Sequence, residues 1–583
     1  MSDYTPPLRD IQFCLHEMGL TAQAAALPGL SETNPSLIDA ILEESGKFAS
    51  EVIAPLNKIG DEEGSILENG VVRTPTGFAS AYKSFVESGW ASLPFSPKHG
   101  GQGLPWLISA ATQEMWLGAN TSWSLCEILT TGAVELLDEF GSDDQKSLYL
   151  NKLISGIWPG TMNLTEPQAG SDLGALRCKA EPLGDHYKIS GQKIFITYGE
   201  HDMAENIIHF VLARTPDSPK GPKGISLFIV PKYLVSPDGN LGKRNDLRCL
   251  SLEKKLGIHG SPTCVMSYGD EGGAIGFLVG RKNEGLAAMF TMMNNARLNI
   301  GISGLAIAER SYQQARDYAK GRSQFGTIIN HPDVRRMLML MKSQIEAMRA
   351  VAYDAALALD CAKRYLDESE RAQAQARVDL LIPMVKGWCT DLGVEISSLA
   401  LQVHGGTGFI EETGIAQHYR DARIAPIYEG TNGIQAIDLV GRKVLRDKGV
   451  AMGAFVNDAN TLLKKAKTDE KSQPIVAAAE EALKELTATT DWLVKIAASD
   501  QETALAGATA YLRLFGAVAG GVMHARAAQI AASQADDCDP KFYAAKLASA
   551  QFYADHVLPQ TAALSLSIRK GHPSVMALDI DQF

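Results

Sequence analysis

Three observations predict an α+β multidomain chain. Apolar residues recur at helical spacing near both ends, short β-prone runs cluster between about 160 and 280, and long helical patterns fill the chain from Glu284 onward. The architecture expected is an N-terminal helical domain (1–160), a middle antiparallel β domain (161–280), a C-terminal four-helix bundle (281–448) and a C-terminal helical extension (449–583).

The elements follow in order. Ile38, Ile41, Leu42 and Phe48 to Val52 have helical spacing, as do Ala133, Leu136, Leu137 and Phe140. Lys98 to Pro105, rich in glycine, reads as a loop. His186–Ser190 and Lys193–Thr197 read as two strands joined across Gly191-Gln192, with Asn206–Arg214 and Gly224–Pro231 as two more. Helices are expected over about 286–320, 333–366, 370–402 and 431–448, with short connections that suit a bundle. Lys464 to Gln473 is polar and reads as a linker. The Ala-rich remainder is helical, and Gly507, Gly516, Gly520 and Gly521 lie along one of its helices, where small residues allow close packing.

The 583 residues suffice for several domains, and 45% hydrophobic with 21% charged residues is ordinary for a globular chain. A net charge of -12 argues against a chain built to coat nucleic acid or an anionic membrane. The cysteines Cys14, Cys126, Cys178, Cys249, Cys264, Cys361, Cys389 and Cys538 form no CxxC pair and no zinc-spaced cluster, so reduced structural thiols, no metal and a cytoplasmic location are expected. No signal peptide and no transmembrane run is evident; Leu514–Met523 is too short to span a bilayer.

Chemistry concentrates in four segments. Pro426-Ile427-Tyr428-Glu429-Gly430-Thr431-Asn432-Gly433-Ile434-Gln435 sets one carboxylate in a turn before a helix marked by Ile434, Ile437, Val440 and Val444. Gly430 permits an unusual backbone angle, and Tyr428 supplies an apolar wall. In a dry site such a carboxylate rises in pKa and serves as a general base; alone, a solvated glutamate near a helix N-terminus is the commoner case. Leu164-Thr165-Glu166-Pro167-Gln168-Ala169-Gly170-Ser171-Asp172 is a tight loop whose N–H groups and hydroxyls suit a phosphate or a polar ring edge, although a structural turn fits it as well. Gln402-Val403-His404-Gly405-Gly406-Thr407-Gly408-Phe409 either caps a helix or lets a pyrophosphate lie against the backbone. Gly321-Arg322-Ser323-Gln324-Phe325-Gly326 offers a guanidinium fork and a ring surface, or simply a surface arginine.

Together and in this order, with Gly191-Gln192-Lys193-Ile194-Phe195-Ile196-Thr197 and Arg420-Asp421-Ala422-Arg423, these segments resemble the flavin-dependent acyl-CoA dehydrogenase family over roughly 35–448. The resemblance implies FAD as cofactor and an acyl-CoA thioester as substrate, oxidised to a trans-2-enoyl-CoA, with electron-transfer flavoprotein as acceptor. It implies Glu429 as the α-proton base. Met162, Leu164, Thr165, Gly170, Ser171, Phe195, Thr197 and Thr431 match cofactor-binding positions. Gln324 matches a further cofactor-binding position, and Arg322, Phe325, Gln402, Gly405 and Gly406 match positions that reach the FAD of a neighbouring subunit, so a homodimer is expected. Ser171, Asn294, Arg297, Tyr428 and Gly430 match substrate-side positions.

The departures are specific. Some family members carry the base immediately before the arginine matching Arg297; Ala296 stands there, which strengthens Glu429. Phe195 replaces a common Trp, Gly433 a frequent polar flavin contact, His259 a usual Arg, Gln417 a usual basic residue and Asn163 a usual small one. The extension resembles that of enlarged members, the very-long-chain enzymes and the bacterial 3-methylmercaptopropionyl-CoA enzymes. Tyr4-Thr5-Pro6-Pro7-Leu8-Arg9-Asp10 looks closer to the bacterial group. A fatty acyl-CoA is the first expectation for substrate and 3-methylmercaptopropionyl-CoA the alternative. An acyl-CoA oxidase, a DNA-associated relative and a non-catalytic flavoprotein scaffold are the competing readings.

Overall fold

The computed structural model describes residues 4–467, 469–534 and 539–583; Cys538 lies outside them. The chain forms two units. One holds Lys47–Leu104 and Ala119–Ala296; the other holds the residues up to Gly46 together with Pro105–Gly118 and Arg297–Phe583.

The first unit is built around an eight-stranded sheet. Its strands are β1 (Gly160–Asn163), β2 (Lys179–Leu183), β3 (His186–Thr197), β4 (Ile208–Ala213), β5 (Ser226–Pro231), β6 (Leu247–Leu252), β7 (Thr263–Tyr268) and β8 (Ala274–Val279). The order is β6-β7-β3-β8-β5-β4-β1, with β2 also on β3. All pairs are antiparallel except β1 with β4, which is parallel. β4 and β5 are buried along their whole length, which accounts for their unbroken apolar runs. The core includes Ile189, Ile196, Val211, Phe228, Met266 and Tyr268.

Two expectations change. The runs at 186–190 and 193–197 are one strand, not two. Gly191 has φ +136°, so the chain bends there without reversing. Before the bend β3 pairs β2 and β8; from Gly191 onward it pairs β7. The helical N-terminal region also contains a hairpin, Ile66–Glu68 with Val71–Arg73, turned by Asn69 and Gly70, both at positive φ. Thr121–Phe140 is helical as its spacing predicts, capped by the Asn120 side chain on the Trp123 N–H at 3.1 Å.

The second unit is helical. The long helices are α1 (Gly285–Gly321, of which Arg297 onward belongs to this unit), α2 (Pro332–Arg364) and α3 (Glu368–His404). Asp367 caps α3 through the Glu370 N–H at 2.9 Å. The expected fourth helix is shorter and broken: α4 (Asn432–Ile437) passes into a π-helical stretch, Asp438–Val444. Of the expected linker, the first three residues still belong to the helix Val450–Ala466. In the extension, α5 (Ala508–Ser533) uses its glycines as expected. Gly516 faces Trp388, Gly520 faces Tyr553 and Ala347, and Gly521 faces Leu558, each too close for a Cβ. Gly507 caps that helix and is not within it. Among the described residues no helix is long and apolar enough to cross a membrane, and no His/Cys/Asp/Glu group is arranged to hold a metal.

Candidate active site

Two glycines bring together the helices that flank the Glu429 turn. A Cβ on Gly301 would lie 2.7 Å from Val385, and one on Gly304 would lie 2.4 Å from the Cys389 carbonyl oxygen. α1 and α3 therefore run almost backbone to backbone. About one turn earlier, α1 places Arg297 and α3 places Lys386 against the same loop, Ile424–Thr431.

That loop is wound tightly. The Ile424 carbonyl accepts from the Ile427 and Tyr428 N–H groups at 2.8 and 3.1 Å, and Pro426 accepts from Asn432 at 2.9 Å. Glu429 has φ +56° and Gly430 φ +82°. A left-handed glutamate costs strain and persists only where its surroundings over-determine it. Thr431 then caps α4 by accepting from the Ile434 N–H at 3.3 Å. The Glu429 carbonyl receives the Gln435 amide at 3.1 Å and the Arg297 Nε at 3.4 Å. Gln435 Oε1 is buried without a hydrogen-bond partner.

The electrostatics suit a base. Burial raises the Glu429 pKa above the ordinary glutamate value, while Arg297 and Lys386 pull against that rise. Arg297 is itself buried and its pKa is lowered by burial, with Asp438 and Glu429 opposing. Tyr428 is partly buried beside the carboxylate, and burial followed by Glu429 pushes its phenol upward. The structure thus gathers Arg297, Tyr428, Glu429, Gly430 and Thr431. It adds Lys386, Asn432 and Gln435, to which no site role is assigned by sequence reasoning. One signal was present: Lys386 is a lone charge in Ile382-Pro383-Met384-Val385-Lys386-Gly387-Trp388-Cys389.

In the sheet unit, β1 carries Met162 into the core and hands on to Leu164 and Thr165. The loop is fixed from beneath. Glu166 accepts from the Lys193 ammonium at 2.8 Å and from the Arg177 and Cys178 N–H groups at 2.6 and 3.0 Å. Burial, which would raise its pKa, is outweighed by these donors, and the carboxyl sits at about 2. Lys193 also donates to the Leu164 carbonyl at 2.9 Å, and the Thr165 carbonyl accepts from Ile194 at 2.9 Å. With its underside tied down, the loop leaves Gly170 and Ser171 exposed, and a Cβ on Gly170 would meet nothing within 4 Å. Phe195, at φ +59°, is 57% exposed although it sits in a strand, and Thr197 is partly exposed two residues on. An open glycine, exposed or partly exposed hydroxyls and a displayed ring suit a flavin with its phosphates. Asn294 lies partly buried on α1.

The remaining predicted residues group at the C-terminal ends of α1 and α3. Tyr318 stacks on His404 at 4.3 Å and its hydroxyl donates to Thr407 at 3.3 Å, joining the two helix ends. Arg322, Gln324, Phe325, Gln402, Gly405 and Gly406 are exposed there, and both glycines are open to a Cβ. Phe325, at φ +54°, and Phe409 are almost wholly exposed. Along α1 this end is roughly 36 Å from Arg297, so these residues do not join the Glu429 turn within one chain.

Comparison with known proteins agrees with this geometry. Family models match in chain order: acyl-CoA dehydrogenase N-terminal domain at 38–157, middle domain at 161–270 and C-terminal domain at 283–445. A fourth, acetyl-CoA dehydrogenase C-terminal like, matches 451–579. The 3-methylmercaptopropionyl-CoA dehydrogenase of Ruegeria pomeroyi is 48% identical over 573 residues, covering 96% of this chain and 97% of the relative. The broad-specificity linear acyl-CoA dehydrogenase FadE5 of Mycobacterium tuberculosis is 32% identical, covering 99% of each. An acyl-CoA dehydrogenase of Bacillus anthracis solved with FAD shares the fold, at TM-score 0.75 and 20% identity over 91% of this chain and 88% of that one.

Proposed function

Because the chain belongs to the acyl-CoA dehydrogenase family, we propose that Glu429 is the base that removes the α-proton of its acyl-CoA thioester substrate. The observation that carries the assignment is a partly buried carboxylate in a strained left-handed turn, with its pKa raised by burial and two cations beside it. A base poised this way holds the proton it removes, and Arg297 and Lys386 offset the desolvation of its anion. The Glu429 backbone N–H is the donor assigned to the thioester oxygen, where charge develops as the α-proton leaves. Substrate-side roles are assigned to Arg297, Tyr428 and Gly430, and to Ser171 and Asn294.

FAD, when bound, supplies the hydride acceptor that turns α-deprotonation into a trans-2-enoyl-CoA. Met162, Leu164, Thr165, Gly170, Ser171, Phe195, Thr197 and Thr431 are the residues that would hold it. The distance between the Arg322–Gly406 group and Arg297 supports the reading that Arg322, Gln324, Phe325, Gln402, Gly405 and Gly406 serve the cofactor of a second copy in a homodimer. Electron-transfer flavoprotein is the assigned electron acceptor.

For substrate we infer a short acyl chain of the 3-methylmercaptopropionyl type, supported by 48% identity that runs through the extension. A linear fatty acyl chain is the second reading, supported by the end-to-end similarity to FadE5. Anaerobic flavin bleaching across 3-methylmercaptopropionyl-CoA and saturated acyl-CoAs of rising length separates the two. Glu429→Gln tests the base. It should keep its flavin and lose α-proton exchange by about 10²–10⁴-fold; exchange near the wild-type rate would remove Glu429 from this role.

A further inference from the structure

Lys386 lies in the middle of α3 and is fully buried. Burial pulls its pKa down to about 7, with Glu429 and Asp391 opposing the fall and Arg297 adding to it. A methionine would fill the same space without desolvating a charge. The ammonium contributes two things that a methionine lacks, donors and charge.

Its donors reach the catalytic turn. Nζ donates to the Gly430 carbonyl at 2.8 Å and to Asn432 Oδ1 at 2.8 Å. Asn432 is in turn locked to α3: its amide donates to the Gly387 carbonyl at 3.0 Å, to Thr390 Oγ1 at 2.9 Å and to Asp391 Oδ1 at 2.7 Å. Thr390 is itself tied to the Lys386 carbonyl at 2.7 Å. On the other side, Gln435 donates to the Gly430 carbonyl at 3.2 Å. The residues following Glu429 are therefore gripped from two directions. A pair of consecutive left-handed residues needs such a grip to persist.

We propose that Lys386 is a positioning residue for the base: through Gly430 and Asn432 it fixes where the Glu429 carboxylate stands, and its charge sets how readily that carboxylate ionises. This rests on the reading of Glu429 as the base. Its signature differs from that of a packing residue, because the loss of a packing residue would leave the ionisation of Glu429 where it was. Without Lys386, the upward push of burial on Glu429 is opposed by Arg297 alone.

The test uses the FAD-loaded full-length protein and its Lys386→Met and Asn432→Ala variants. Flavin content, KM and the pH dependence of substrate α-proton exchange in deuterium oxide are measured for each. Both variants should bind flavin, keep KM within about threefold and exchange on the order of 10²-fold more slowly. In Lys386→Met the acid limb of the exchange profile should also move to higher pH. In Asn432→Ala, which keeps the ammonium, the limb should stay in place. Exchange at the wild-type rate with an unmoved limb in Lys386→Met overturns the proposal. If Lys386→Met does not fold, a wild-type rate in Asn432→Ala does so instead. Wild-type protein that exchanges no α-proton with any acyl-CoA would fail the reading of Glu429, and the role of Lys386 with it. Wild-type exchange together with unaltered variants would fail the Lys386 proposal alone.

Discussion

The close crossing of α1 on α3 can be opened by a single methyl group. A Cβ on Gly304 would lie 2.4 Å from the Cys389 carbonyl oxygen and 2.9 Å from Thr390 Cα. These are backbone atoms, and the shorter distance is about 1 Å less than van der Waals contact, so the helices must part. Alanine in place of a mid-helix glycine contributes about 1 kcal/mol, and overpacking costs about 1–3 kcal/mol. Gly304→Ala should therefore be destabilised by no more than about 2 kcal/mol. The functional effect should be larger than that figure suggests. Arg297 rides on α1 and Lys386 on α3, and both hold the Glu429 turn. A displacement near 1 Å there should slow α-proton exchange by about 10²-fold. The assay pairs exchange at saturating acyl-CoA with urea denaturation. Gly453→Ala is the control, since a Cβ on that exposed helical glycine meets nothing within 4 Å. A Gly304→Ala protein that exchanges as fast as wild type would refute the claim that helix spacing sets the turn.

Other outcomes follow from the same structure. Glu127 is buried, and burial, opposed by the Thr131 hydroxyl at 2.5 Å, pushes its carboxyl up to about 7. Folding therefore takes up a proton in the range between the ordinary glutamate pKa and about 7. The associated stability is complete below that range and is lost as pH rises through it, by at most about 3 kcal/mol. Glu127→Gln should flatten the difference in urea midpoint between about pH 5 and about pH 8; an unchanged difference would contradict the assignment. Gly191→Ala places a Cβ 2.5 Å from Cys178 Sγ at a φ of +136° and should cost about 2–4 kcal/mol by urea denaturation. Gly184→Ala, also at positive φ but in open space, should cost less.

Much of this was legible in the sequence, for identifiable reasons. The long helices announce themselves because apolar residues recur every three or four positions over many turns. The motif order carries the family because its segments are contiguous in sequence. Other features are not local. Gly191 looks like a turn between strands, and only the partners on either side show that β3 is continuous and changes neighbours. Several strands, among them β2, β6 and β8, have mixed burial and escaped pattern reading. The left-handed φ of Glu429 follows from grips supplied by α1 and α3, far away in the chain. Lys386 and Asn432 acquire meaning only when those helices meet. Their chemistry is written in the crossing and not in any one segment.

The extension bears on this crossing too. Gly387, whose carbonyl receives Asn432, is covered by Leu512, and Trp388 fits over Gly516 of α5. The wall behind the Glu429 turn is thus shared property: one side belongs to the bundle and the other to residues beyond 449. Such a chain does not divide like beads on a string. Removing the extension would unroof the wall, and grafting it onto a shorter relative would demand a hollow at 387 for Leu512 and a ring at 388 to fill the hollow over Gly516. Gain or loss of this domain is, for the chain, a renegotiation of the ground the Glu429 turn stands on.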